Sequence, residues 1–260
     1  YAKITLSGTF RDTGAQTKSL GAAAQQRFRY DKFLIRVDKI ARSRRIGRVL
    51  VECRSDFSPV LFSGLEDVRE GLERLREAGK DVVFFSHHLN TVSLYLASAC
   101  AKKVLHPLGT LSFLGLSRSF LFLKQAMDRH GIDAQIIRRG RYKSAGDRFR
   151  TDRLDRDNEE QYRAYFDAVM RELEERIAEG FGKTEEEVQS LVDGRILDAE
   201  TAQREGWTDH TATLRSIEES WKSDEKVKKK KLRRIGRSYG RGRRKIAVLV
   251  FEGAIIEGKS

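Results

Sequence analysis

Residues 138–149, Arg138-Arg139-Gly140-Arg141-Tyr142-Lys143-Ser144-Ala145-Gly146-Asp147-Arg148-Phe149, set a lysine beside a serine just after a predicted strand, Ala134 to Ile137. A lysine acts as a general base only when neutral, and a solvated one, with a pKa of about 10.4, is almost wholly protonated at neutral pH. Burial against apolar groups lowers that value, which lets serine/lysine pairs work without histidine. The preceding strand and neighbouring Tyr142 predict partial burial for Lys143. The competing reading is a solvated lysine in an arginine-rich loop, and residue chemistry taken alone favours it. Ser144 is placed to hydrogen-bond the lysine or nearby backbone, while Tyr142 and Asp147 are read as shaping the loop.

Other groupings carry less. His87 and His88 are adjacent, so their side chains diverge, and no carboxylate or third histidine stands at ligand spacing; a polar loop is the better reading. Ser86 beside His87 lacks the Gly-x-Ser-x-Gly elbow of a hydrolase triad. Cys53 and Cys100 stand far apart with no CxxC spacing, which argues against a disulfide framework or zinc knuckle and for two small apolar fillers. A net charge of +13 would point to nucleic acid if it were spread over the fold. Instead, 12 Lys or Arg residues and no acid lie between Lys226 and Lys245, leaving about +1 for everything else. No window reaches the run of about 20 apolar residues that would cross a bilayer.

The elements that must position these residues follow from periodicity. Ala2 to Leu6 alternates as a strand and meets a turn at Ser7-Gly8, after which a polar stretch through Gln26 reads as loop. Phe33, Val37, Ile40 and Ala41 recur at helical spacing from Asp31. Arg48 to Val51 and Asp81 to Phe85 read as buried strands. Between them Ser63 and Glu66 have capping-box spacing ahead of a helix through Leu65, Val68, Leu72 and Leu75 that stops at Gly79. A helix from about Asn90 to Ala101 leads to a strand Lys103 to Leu105, broken at His106-Pro107, and Leu116 to Arg129 reads as an amphipathic helix. A long helix starts at Asp157-Asn158 with Tyr162, Tyr165, Phe166, Val169, Leu173 and Ile177 on one face. Thr184 and Glu187 form a second capping box, and Ala199 to Glu205 is a helix stopped by Gly206. Short strands alternating with helices predict an α/β fold, a mostly parallel sheet covered by helices.

Arg141-Tyr142-Lys143-Ser144-Ala145, followed by Asp147-Arg148-Phe149 and a long helix, resembles the base-bearing motif of the bacterial signal peptide peptidase A family, also called protease IV. Gly194-Arg-Ile-Leu-Asp-Ala199 with Ala202 and Gly206-Trp-Thr-Asp209 resembles that family's next block, with Trp207-Thr208 in place of its usual apolar pair. The resemblance implies a crotonase/Clp-protease-like α/β fold of stacked strand-strand-helix units, with a helical extension after the lysine. Long family members hold two similar halves, the first giving the lysine and the second the serine, and this chain is similar to a first half. Lys245 to Ile256 repeats the pattern of Lys3 to Phe10. The expected domains are therefore a half-domain with its helical extension over 1–220, a basic linker over 221–244, and the first strand of a truncated second half over 245–260.

Departures from the family pattern fit that assignment. The family's Ser-Pro-Gly-Gly oxyanion turn is matched here by Arg54-Ser-Asp-Phe-Ser-Pro59, which has no glycine pair. The nucleophile's Ala-Ser-Gly-Gly-Tyr context is matched by Leu89-Asn-Thr91-Val-Ser-Leu-Tyr95, so Thr91 and Ser93 are the nearest hydroxyls and neither is taken as the nucleophile. Loss of one oxyanion donor alone costs about 10²–10³ in rate. The resemblance thus implies a membrane-associated serine endopeptidase of signal peptides at the bacterial inner membrane, facing the periplasm. Lys143 is its base, no cofactor or metal is required, and its partners are apolar peptides, the missing second half-domain and further copies in a homo-oligomer. An upstream hydrophobic anchor and a downstream Ala-Ser-Gly-Gly-Tyr stretch are expected in the reading frame. The basic linker is read as lying on a membrane surface, with no nucleic-acid role. The rival readings are an acyl-CoA hydratase or isomerase relative on the same fold and an inactive basic binding module.

Overall fold

The computed structural model describes residues 1–11, 27–58, 62–192 and 194–223. It opens with β1 (Ala2–Leu6) and β2 (Thr9–Arg11), the latter parallel to β3 (Arg27–Arg29), which runs directly into α1 (Tyr30–Ala41). Strand and helix then alternate through β4 (Arg48–Cys53), α2 (Phe62–Glu77), β5 (Asp81–Leu89), α3 (Thr91–Ala97) and β6 (Lys102–Ser112). Beyond β6 come α4 (Lys124–Arg129), α5 (Asp147–Arg150), α6 (Arg156–Phe181), α7 (Glu185–Val192), β7 (Ile196–Asp198), α8 (Ala199–Arg204), β8 (His210–Thr211) and α9 (Leu214–Ser223).

The main sheet runs β1-β4-β5-β6-β7, parallel through β6; β7 is antiparallel to β6, and β8 also pairs with β6. Residues 49–53 of β4 are buried without interruption, the pattern of a strand covered on both faces. On one face Leu50, Val83, Phe85 and Val104 pack against Ile217 of α9. Trp221 of the same helix meets Tyr1 edge-on at 5.1 Å. Leu65, Val68, Leu72 and Leu75 of α2 are buried as their spacing predicts, and Gly79 ends the chain's turn there in the left-handed region at φ 72°. Gly180 lets α6 cross the end of α3, since a β-carbon there would stand 2.2 Å from the Ser98 carbonyl oxygen.

Several expectations are corrected. Ala134 to Ile137 is not a strand, and Ile137 is fully exposed. The flank of β6 away from β5 carries β7 and β8 instead, two short strands too weak in pattern to be read locally. Leu116 to Arg129 is helical only over α4, which buries none of its side chains. Gly115 at φ 70° and two serines precede it, so no continuous apolar face forms. His106-Pro107 does not break β6. Ser86 pairs with Leu105 and His88 with Thr110, so the extra residues of β6 bulge outward and Pro107 needs no ladder donor there. Ser63 lies inside α2 rather than capping it, because Phe62 is already helical and packs on Tyr95 with ring centres 5.6 Å apart. Residues 9–11 form a strand within the stretch expected as loop, and α3 ends at Ala97 rather than Ala101. Residues 221–223 of the expected linker are the end of α9, and residues 224–244 and the repeat at Lys245 lie outside the described residues.

Candidate active site

Two places bear on the predicted chemistry. The first is an open cleft of about 540 Å³ at the carboxyl ends of β4 and β5, lined by Glu52, Arg54, Ser55, Asp56, His87 and His88. Parallel sheets offer ligands this end of their strands. Three amides of the turn after β4 are spent locally: Arg54 N–H donates to the Leu6 carbonyl at 3.0 Å, Phe57 to Arg54 at 3.0 Å and Ser58 to Gly8 at 3.3 Å. Donors already used in this way are not aimed at an oxyanion. Glu52 accepts from Arg54 at 3.3 Å and pairs with Lys3 at 3.1 Å. Burial alone would raise its pKa, but Lys3 and then Arg54 outweigh that and hold the carboxyl below its ordinary value. The His87 ring lies 4.8 Å from His106, and burial, followed by His106 and His88, holds the His87 imidazole below its ordinary pKa.

The hydroxyls beside this cleft are structural. Asn90 caps α3 by accepting from Ser93 N–H at 3.0 Å, and Ser93 Oγ accepts from Asn90 N–H at 2.7 Å, a reciprocal capping box. Ser93 Oγ also stands 3.1 Å from the His88 carbonyl oxygen, and the residue is buried. Ser86 Oγ lies 2.7 Å from the His88 carbonyl and 3.1 Å from that of Cys53. Cys53 and Cys100 are buried, and burial pushes both thiols up to about 12, which suits the filler reading. Among the described residues no group of three His, Cys, Asp or Glu is arranged to hold a metal.

The second place is the Lys143 loop. Lys143 is exposed, not partly buried, because the strand expected before it is absent and the loop sits on the outside of the fold. Among the described residues its ammonium has no hydrogen-bond or ion-pair partner, and no such bond links it to the cleft. The loop itself is anchored to the start of α6. Asp155 caps that helix by accepting from Asn158 N–H at 2.9 Å, Arg141 donates to Asp157 at 2.7 Å, and Tyr142 Oη reaches Glu160 at 3.4 Å. Acids in the first turn of α6 thus favour the helix dipole and hold the loop's arginines together.

Asp147, read from sequence as shaping the loop, is its most connected side chain. It is buried and accepts from Arg138, Arg150 and the Asn158 amide. Burial alone would raise its pKa; hydrogen bonds from Arg150 and Asn158 and the charges of Arg138 and Arg150 hold it below the ordinary carboxylate value. Sequence reading treated Asn158 only as the helix start. Its spacing of three from the Asp155 cap was the available signal. Ile137, just before the loop, and Tyr142, within it, expose apolar surface.

Residues 74–228 match Peptidase family S49. The chain belongs to that family. Both motif blocks that carried the resemblance, at Lys143 and at Gly194, fall inside the matched span. Among curated relatives, the chain is 26% identical over 143 residues to "Serine protease SPPA, chloroplastic" of Arabidopsis thaliana, covering 55% of this chain and 21% of that protein. It is 29% identical over 85 residues to "Protease 4" of Haemophilus influenzae, covering 33% of this chain and 14% of that one. The matched span is thus a small part of either relative. A solved ClpP1 variant from Listeria monocytogenes superposes with a TM-score of 0.50 at 8% identity, over 82% of this chain and 92% of that one. The α/β fold is therefore of the Clp-protease type, as the resemblance implied.

Proposed function

We propose that this chain is the lysine-bearing half of a serine endopeptidase of the protease IV type, hydrolysing signal peptides or similar apolar peptides through a Ser/Lys dyad. The observation that carries this reading is a contrast within the fold. Lys143 stands on an anchored loop with no partner among the described residues, while the turn amides of 54, 57 and 58 and the Ser93 hydroxyl are already spent on local structure. Membership of Peptidase family S49 supports a peptidase.

In this mechanism a serine from a second half-domain attacks the scissile carbonyl carbon and Lys143 Nζ accepts its proton. Lys143 then gives that proton to the leaving amine, leaving an acyl-enzyme, and next takes a proton from the water that hydrolyses it. A second half-domain seated over Ile137 and Tyr142 would exclude water from the loop, and desolvation favours the neutral amine. The same reading puts the protein at the bacterial inner membrane, facing the periplasm, as a homo-oligomer. Among the described residues no helix is long and apolar enough to cross a membrane.

The test is peptidase activity of the intact protein against a quenched peptide with an apolar core. Lys143→Ala is expected to lower kcat by about 10³-fold or more, as loss of a dyad member does. Wild-type rates in Lys143→Ala would sink the reading.

A further inference from the structure

The Lys143 loop closes at its base on the buried Asp147 carboxylate, with the Asp155 carboxylate a more distant second acid 3.6 Å from both Arg138 and Arg150. Ile136 and Gly146 meet there so closely that a β-carbon on Gly146 would stand 2.6 Å from Ile136 Cγ2. Beside this contact Arg138 Nη1 donates to Asp147 Oδ1 at 3.2 Å and Oδ2 at 3.1 Å. Arg150 donates to Oδ1 from Nε at 3.1 Å and Nη2 at 2.9 Å. Asn158 Nδ2 donates to Oδ2 at 2.6 Å. The backbone of the same residue joins in: Asp147 N–H donates to the Ser144 carbonyl at 3.0 Å, and its own carbonyl accepts from Thr151 N–H at 2.8 Å.

One side chain, 4% exposed, therefore ties together the segment entering the loop, the short helix leaving it and the first turn of α6. Between Arg138 and Asp147 the chain turns through Gly140 at φ 108°, a conformation side chains rarely adopt, and carries Lys143 near its far end. The outer ties, Arg141 to Asp157 and Tyr142 to Glu160, involve exposed side chains, and such pairs hold weakly in water. The clamp is screened less, because its carboxylate is buried although Arg138 and Arg150 are 30% and 40% exposed.

We propose that Asp147 is the positioning residue of Lys143: its carboxylate fixes the base of the loop on α6 and so sets where the lysine amine stands. This rests on the reading of Lys143 as the base. Asp147→Asn keeps the size of the side chain, removes the charge that both guanidinium groups share, and turns an amide donor toward that of Asn158. Displacing a reacting group by about 1 Å costs about 10²-fold in rate.

The experiment compares wild type, Asp147→Asn, Asp147→Glu and Lys143→Ala in the intact protein, reading kcat and KM on the quenched apolar peptide. Hydrogen exchange of residues 138–147 is followed by mass spectrometry alongside. The expected result for Asp147→Asn is a kcat lower by about 10²-fold, KM within about twofold, and loop exchange at least about tenfold faster with the exchange of α6 and β4 unchanged. Asp147→Glu, which keeps the carboxylate, is expected to recover much of the kcat. Unchanged kcat and loop exchange in Asp147→Asn, with Lys143→Ala inactive, would overturn the positioning role and leave the base assignment standing. Faster exchange throughout the molecule, with no rescue by glutamate, would reduce Asp147 to general stability and also overturn it. Full activity in Lys143→Ala would remove the base assignment and the catalytic meaning of the clamp with it.

Discussion

The hydroxyl of Ser93 shows how little residue type decides by itself. It stands at the start of a helix after a parallel strand, where a nucleophile would be looked for, yet it exchanges hydrogen bonds with Asn90. Ser93→Ala is expected to cost about 1 kcal/mol of stability, the usual worth of a lost cap, with kcat unchanged; thermal unfolding beside the peptidase assay checks both. Asp147 gives a pH prediction. Its folded pKa lies below the unfolded value of about 3.9, so its stabilising contribution is complete above that pH and is lost as pH falls through the lower folded value. Urea unfolding between about pH 6 and pH 3 should show this acid-dependent loss in the wild type and a shallower one in Asp147→Asn. Equal slopes would mean that the carboxylate is not held as described. Lys143 is singled out in the sequence only through a family motif, and the partial burial that an expected strand and Tyr142 predicted for it is not found, because that strand does not form. Its anchor was not legible, because the bonds among Arg138, Asp147, Arg150 and Asn158 join side chains from segments with no shared periodicity.

At the scale of elements, legibility followed self-sufficiency. The helices α1, α2 and α7 carry their own apolar faces or caps, and Thr184 and Glu187 exchange the two hydrogen bonds their spacing predicts, at 3.2 and 2.8 Å. Ala134 to Ile137 had the composition of a strand but forms none, while the flank of β6 is taken by β7 and β8, pairings that no local pattern records. Helix α9 was missed because only Ile217 of it is buried, although that residue packs on strands β4, β5 and β6. Ile217→Ala is expected to cost about 2–5 kcal/mol, read by chemical denaturation. Gly180→Ala should destabilise by about 1–3 kcal/mol or more, because the obstructing group is the Ser98 backbone, which has no rotamer to yield. A neutral outcome at Gly180 would mean that α3 and α6 do not cross as closely as the structure has them.

For the whole molecule, the fold is of the Clp-protease type, and the family is Peptidase family S49. The proposed division of labour places a base on one half and a nucleophile on another, with Ile137 and Tyr142 exposed near the base in sequence. That division can be tested by labelling the intact protein with a serine-directed fluorophosphonate and mapping the modified residue, in wild type and in Lys143→Ala. The account predicts a label on a serine outside residues 1–223, formed at least about 10²-fold more slowly when Lys143 is replaced. A label on Thr91 or Ser93, or one that forms equally fast without Lys143, would contradict it.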